Sequence, residues 1–240
     1  GDRMTTIEQS YRGTLGRLMA LAGATFLVGT NAFVIAGLLP RIAGSLHASV
    51  GAVSYTVTAY ALVVALAAPA IAVLLPRAPQ RVVMAGGALM FAAGAAITAF
   101  ATGIEWFTVG RIVAALGGAA LVPTATAVAA QIGPSQRRGR SLAIVGAGFT
   151  LATALGAPLG TAIGSSAGWR LPLGILAAAG VVWAVPLFAA FRLPSRGAAG
   201  TLRARFAPLA DARVVLTLGA VVLTVAALNI VYIFSAAVSA

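Results

Sequence analysis

The chain of 240 residues has no cysteine, no lysine, a single histidine (His47) and only four acidic residues. Lack of cysteine excludes a disulfide framework, a thiol nucleophile and a thiolate metal site. Lack of lysine excludes a Walker-type phosphate loop and the Schiff bases that hold pyridoxal or retinal. One histidine cannot build a histidine metal cluster. No cofactor, metal or catalytic constellation is expected, and the chain is read as no enzyme. Charge itself is scarce, at 8% of residues, against roughly 25% in soluble globular domains. Such a chain cannot clothe a water-facing surface, so a soluble enzyme, a secreted domain and a disordered tail are all excluded.

What the chain does have is apolar length: 60% of its residues are hydrophobic. A helix needs about 20 apolar residues to cross about 30 Å of hydrocarbon at 1.5 Å per residue. Seven runs qualify: Leu18 to Leu39, Val53 to Leu75, Val82 to Ala101, Trp106 to Ala130, Leu142 to Gly164, Leu171 to Phe191 and Val214 to Val238. They are too long for barrel strands and lack alternation. The chain thus divides into an amino-terminal tail (1–17), a six-helix transmembrane bundle (18–191), a basic linker (192–213) and a seventh helix (214–240) that begins a second bundle.

All 16 basic residues are arginine, and the net charge is +12. They fall singly or in short groups between apolar runs, without a solvated basic face interleaved with aromatics, which argues against a nucleic-acid partner. Thirteen lie in the tail and in the second, fourth and sixth loops; only Arg41 and Arg170 lie on the other side, and Arg111 lies within a span. Arginine retention on the cytoplasmic side predicts a cytoplasmic amino terminus.

Ala65-Leu66-Ala67-Ala68-Pro69 in the second run and Ala154-Leu155-Gly156-Ala157-Pro158 in the fifth lie three spans apart. Helices three spans apart run in opposite directions, so the match predicts a three-plus-three inverted repeat. Repeats of this kind hold substrate sites near the bilayer midplane.

Arg111 is the one charge inside any run. An intramembrane arginine costs about 2.5–3.5 kcal/mol or more, so it is expected to face a partner or a watery cavity, or else to snorkel outward. Asn31 in the first run is expected to pair with Arg111, to line the same cavity, or to join helices. Tyr60, Thr150, Thr153, Asn229 and Tyr232 are further candidates for a substrate cavity. Tyr55 and the Glu105–Trp106 pair read as interface anchors. Gly156, Gly160 and Gly164 give the fifth run a small-residue face, with Pro158 removing one backbone hydrogen bond; Gly117 and Gly118 follow Arg111 similarly.

Several stretches resemble the major facilitator superfamily in its bacterial drug–proton antiporter branch. Thr30-Asn31-Ala32-Phe33-Val34-Ile35-Ala36-Gly37-Leu38-Leu39-Pro40 resembles the first-helix signature. Gly110-Arg111-Ile112-Val113-Ala114-Ala115-Leu116-Gly117-Gly118-Ala119-Ala120 resembles the fourth-helix arginine motif. Gly148, followed by Gly156-Ala157-Pro158-Leu159-Gly160, resembles the fifth-helix antiporter motif, and Gly168-Trp169-Arg170 the entry to the sixth helix. The resemblance implies an all-α membrane protein: a six-helix bundle with a three-plus-three inverted repeat, followed by the first helix of a second bundle. It implies efflux of drugs or small metabolites by alternating access, coupled to protons, in a bacterial cytoplasmic membrane. Arg111 would then serve coupling, and Gly148, Gly156, Pro158 and Gly160 the antiporter seam.

Three departures qualify this. Asn31 stands where an acid is usual, and an amide cannot carry a proton. The loop Leu75-Pro76-Arg77-Ala78-Pro79-Gln80-Arg81 lacks the family's acid. Seven helices stand where about twelve belong, so the chain reads as an amino-terminal portion, completed by a carboxyl-terminal half or by a second copy in a homodimer. Partners are the bilayer and a small-molecule substrate. Rival readings are a non-transporting scaffold and, against the predicted orientation, a seven-helix receptor.

Overall fold

The computed structural model describes the backbone of residues 2–75, 77–132, 135–192 and 211–238, and side-chain surroundings for 13–75, 77–132, 136–192 and 211–227. Every regular element among these residues is helical: α1 (Asp2–Ser45), α2 (Val50–Leu74), α3 (Gln80–Ala99), α4 (Ile104–Ala129), a short 3₁₀ turn (Ser135–Arg137), α5 (Arg138–Leu151), a π-helical turn (Ala152–Gly156), α6 (Ala157–Ala167), α7 (Arg170–Ala189) and α8 (Ala212–Val238). α5, the π turn and α6 form one continuous span, Arg138–Ala167. Six helices among the described residues are long and apolar enough to cross a membrane, and they correspond to the first six runs.

The first run is expected to end at Leu39, before Pro40, yet α1 continues to Ser45. Proline removes one backbone hydrogen bond, but the turn beyond it is held by packing. Ile42, Ala43 and Leu46 are buried with Val53, Phe107 and Trp169. Residues 2–17, read from sequence as a tail, continue α1 toward the amino terminus. Once a helix is nucleated, each added residue gains a hydrogen bond for one fixed backbone, and no proline interrupts this stretch.

The chain forms two compact units, 1–196 and 197–240. In the first unit, α1 packs against α5 and α6, α4 against α2, and α3 against both α4 and α7. Exchanging the first three spans for the last three maps the α1–α5/α6 pair onto the α4–α2 pair and the α3–α7 pair onto itself. This is the pairing expected of an inverted three-plus-three repeat. The exchange is imperfect, because α3 and α4 approach more closely than α1 and α7. Glycine makes that approach: a Cβ on Gly94 would strike the backbone of Ala114, and one on Gly117 the backbone of Phe91.

The ends of the bundle differ. At the end carrying the Gly103 loop, Arg170 bonds Ser45 Oγ at 3.3 Å and the Ala101 carbonyl at 2.8 Å. One side chain thereby ties together the exit of α1, the α3–α4 turn and the entry of α7. Gly168 makes the turn into α7 with φ +97°, a conformation L side chains rarely adopt. The second unit contributes α8, a 27-residue helix capped by Asp211 Oδ1, which accepts from the Arg213 N–H at 2.9 Å.

Candidate functional site

Two apolar clusters fill the first unit. One, toward the arginine-rich end, contains Val28, Tyr60, Ala114 and Ala115; the other, toward the Arg170 end, contains Val34, Val53 and Phe107. Asn31 lies between Val28 and Val34 on α1, and Arg111 between Phe107 and Ala114 on α4. The polar cluster therefore sits between the two apolar clusters, away from both ends of the bundle.

Arg111 is fully buried, at 0% exposure. Its Nη1 donates to the Asn31 carbonyl oxygen at 2.9 Å. Its guanidinium carbon lies over the Tyr60 ring, 4.2 Å from the centroid. A cation over an aromatic face is attracted by the ring quadrupole, by about 2 kcal/mol when desolvated. Arg111 Nε and Nη2, Asn31 Nδ2 and Tyr60 Oη have no hydrogen-bond partner among the described residues. A buried cation wants charge compensation and all its donors satisfied, and protein groups here satisfy one. Snorkelling is excluded by the zero exposure.

The surroundings let three helices converge on this point. α2 turns only Val53, Thr56 and Tyr60 inward as buried residues, on its α4-facing side. Gly118, two helix turns beyond Arg111, makes room for the phenol: a Cβ there would lie 3.3 Å from Tyr60 Oη. Buried Thr30, Thr56 and Thr98 each bond a carbonyl of their own helix and leave the cluster undisturbed.

Other sequence-chosen residues lie elsewhere. Thr150 is exposed and Thr153 half-buried; each donates to its own helix, at the Gly146 and Phe149 carbonyls. Neither is bonded to the Arg111 cluster. The side chains of Asn229 and Tyr232 lie outside the described residues. Tyr55, at 77% exposure, and Trp106, at 60%, stand at the surface as expected of interface anchors.

The glycines of the fifth span face α1. A Cβ on Gly148 would strike the Ala22 carbonyl, one on Gly156 the Thr30 hydroxyl, and one on Gly160 would come within 2.6 Å of Val34 Cγ2. From the other side, a Cβ on Gly29 would come within 2.7 Å of the Ala152 methyl. The seam is thus internal to the six-helix unit. Its centre is the π turn, where the Ala157 N–H reaches the Ala152 carbonyl. Pro158 follows directly, with no N–H to restore the α pattern. Thr25 crosses the same seam, donating to the Val145 carbonyl at 2.8 Å.

Gln80 went unnoticed in the sequence. It opens α3, is 4% exposed, and neither polar atom of its amide has a partner among the described residues. It lines a cavity of about 230 Å³ with Ala68, Leu75, Ala119 and Thr124. A glutamine between Pro79 and Arg81 looks like any polar loop residue, so no local signal marks it as buried.

Apolar helices of membrane-crossing length, closed around a buried cation, define the class as a multi-pass membrane protein. The profile described as Major Facilitator Superfamily matches residues 21–240, and the chain belongs to that superfamily, a family of transporters, not enzymes. The chain is 28% identical over 176 residues to the uncharacterized MFS-type transporter YtbD of Bacillus subtilis (strain 168), covering 73% of this chain and 44% of the relative. It is 36% identical over 120 residues to the chloramphenicol resistance protein of Streptomyces lividans, covering 47% of this chain and 30% of the relative. It spans less than half the length of these curated relatives. Among solved structures it resembles a bacterial homolog of the human lysosomal transporter Spinster, in an inward-facing and unoccupied conformation, with TM-score 0.67 and 20% identity over 82% of this chain and 49% of that one. A peptide transporter POT (E310Q mutant) gives TM-score 0.64 at 20% identity over 90% of this chain and 46% of that one.

Proposed function

We propose that the chain is the amino-terminal bundle of a secondary transporter that expels drugs or small metabolites from a bacterium by alternating access, with protons as the coupling ion. The observation that carries this reading is Arg111. A cation held at zero exposure between two apolar clusters, with two unpartnered donor nitrogens, is costly to keep unless a transported group or a coupled charge meets it. Tyr60 supplies a flat apolar face and a hydroxyl, and Asn31 an amide, so the site suits an amphipathic molecule bearing a hydrogen-bond acceptor. The name of the Streptomyces relative supports a drug-like substrate.

The four acidic residues are Asp2, Glu8, Glu105 and Asp211, and none lies inside an apolar run. The proton carrier therefore belongs to the complementary half, supplied by a carboxyl-terminal portion or by a second copy of this chain. The arginine-rich end faces the cytoplasm in this reading. Rocking of the two halves exposes the Arg111 site to each side in turn.

The test is flux in proteoliposomes holding the complete transporter. With chloramphenicol as probe, an imposed pH gradient is expected to drive accumulation, and Arg111→Gln to reduce it at least ten-fold while the protein remains folded. Equal flux with and without the gradient overturns proton coupling. Undiminished flux in Arg111→Gln overturns the site.

A further inference from the structure

A second recess lies on the outside of the bundle and contains none of the residues of the Arg111 cluster. It is a groove of about 640 Å³ between α1, α5 and α7, lined by Met19, Phe26, Ile144, Leu151 and Trp183 with small residues between them. Its wall is fixed: Trp183 Nε1 donates to the Ala20 carbonyl at 2.7 Å, which satisfies the indole's polar atom and leaves the ring to the groove. Gly23 brings α1 against that ring, since a Cβ there would strike it. Met19 stays 57% exposed and Leu151 48%.

The dimensions and the charge identify the occupant. Along α1 the groove runs from Gly16 to Phe26. Ten residues at about 1.5 Å each give a length of about 15 Å, half of the ~30 Å hydrocarbon core and so one leaflet deep. All of its lining lies in the half of each helix nearest the arginine-rich end. At that end stand Arg140, one helix turn before Ile144 and on the same face, and Arg192, just past the end of α7; Arg17 follows the first lining residue but lies on the α1 face of buried Leu21 and Ala24. All three are exposed. No carboxylate of the first unit's described side chains lies at this end, the one such group, Glu105, being at the start of α4.

We infer that this groove is a binding site for an anionic phospholipid, with one acyl chain lying along Met19, Phe26, Ile144 and Leu151 and the headgroup phosphate held by Arg140 and Arg192. An apolar trough one leaflet deep, opening beneath cations that meet no carboxylate among the described side chains of this unit, matches a lipid with a negative headgroup at both ends. Guanidinium groups suit phosphate because their planar donor fork pairs two oxygens at once.

Trp183 provides the readout. In a Trp106→Phe/Trp169→Phe background of the 240-residue chain, its fluorescence is quenched by brominated lipid seated in the groove. Vesicles carry brominated phosphatidylglycerol or brominated phosphatidylcholine in an unlabelled phosphatidylcholine host. The glycerol lipid is expected to compete better by roughly five-fold for each arginine engaged. Arg140→Gln/Arg192→Gln is expected to bring the two lipids to parity without altering quenching by phosphatidylcholine. Ala147→Phe, which fills the groove from α5, is expected to weaken quenching by both lipids with the arginines intact. Parity in the parent protein, an unchanged preference in the double variant, or no quenching by either lipid (as when another helix covers the groove) overturns the assignment. Native mass spectrometry of lipid carried through purification gives the same decision where a variant folds poorly.

Discussion

Arg111, Tyr60 and Asn31 make the strongest demands at the scale of single residues. Arg111 is held by one hydrogen bond and one aromatic face. Replacing a buried, poorly compensated charge by an apolar residue of similar volume is often neutral or stabilising by about 1–4 kcal/mol. Arg111→Leu is therefore expected to keep or raise resistance to thermal unfolding in detergent while abolishing flux. A variant that unfolds would mean that the arginine's main task is structural. Tyr60 separates in the same way. Its hydroxyl has no hydrogen-bond partner among the described residues, so Tyr60→Phe is expected to shift stability by under about 0.5 kcal/mol. Tyr60→Leu removes the ring from the guanidinium and is expected to cost about 1–2 kcal/mol. Equal losses in the two variants would show that the phenol, not the face, matters.

Glycine decides how closely the elements approach. α3 and α4 touch backbone to backbone at Gly94 and Gly117, whereas Gly86, on the exposed side of α3, has nothing within 4 Å of where its Cβ would stand. Without a hydrophobic force between helices in lipid, close packing is what holds them together. Gly94→Ala is expected to destabilise by about 1–3 kcal/mol. Gly86→Ala is expected to be neutral or stabilising by up to about 1 kcal/mol, from helix propensity alone. Equal effects in thermal unfolding would refute the close-approach account. The α1–α5/α6 seam follows the same logic, with the π turn placing Ala152 beside Gly29 and Gly156 beside Thr30. The glycine spacing of this face was visible in the sequence. That its partner is α1 was not, because spacing states which residues share a face and says nothing of what the face meets.

For the whole molecule, orientation is the quantity most open to a direct test. The chain contains no cysteine, so single cysteines can be introduced without background. Gly103, in the α3–α4 loop, and Gly139, in the first turn of α5, both have open space where a Cβ would stand, and they lie at opposite ends of the bundle. Gly139→Cys is expected to react with a membrane-impermeant maleimide only after cells are permeabilised, and Gly103→Cys in intact cells. The reverse pattern would place the arginine-rich end outside and undo the positive-inside reading. The six spans of the bundle and the residues of the family motifs were legible before any coordinates. Thr150 and Thr153, expected from sequence as cavity-lining residues, donate their hydroxyls to their own helix, which any threonine in a helix can do.

Sequence alone determined that lipid is the solvent, which segments cross it and which end carries the arginines, because hydropathy and charge add up along the chain whatever the helices later touch. Tertiary structure decided that Arg111 meets Tyr60 and the Asn31 carbonyl, that the fifth-span glycines close on α1, and that Gln80 is buried. Those outcomes depend on how each helix is rotated about its own axis against its neighbours, and that rotation is settled by packing among residues dozens of positions apart.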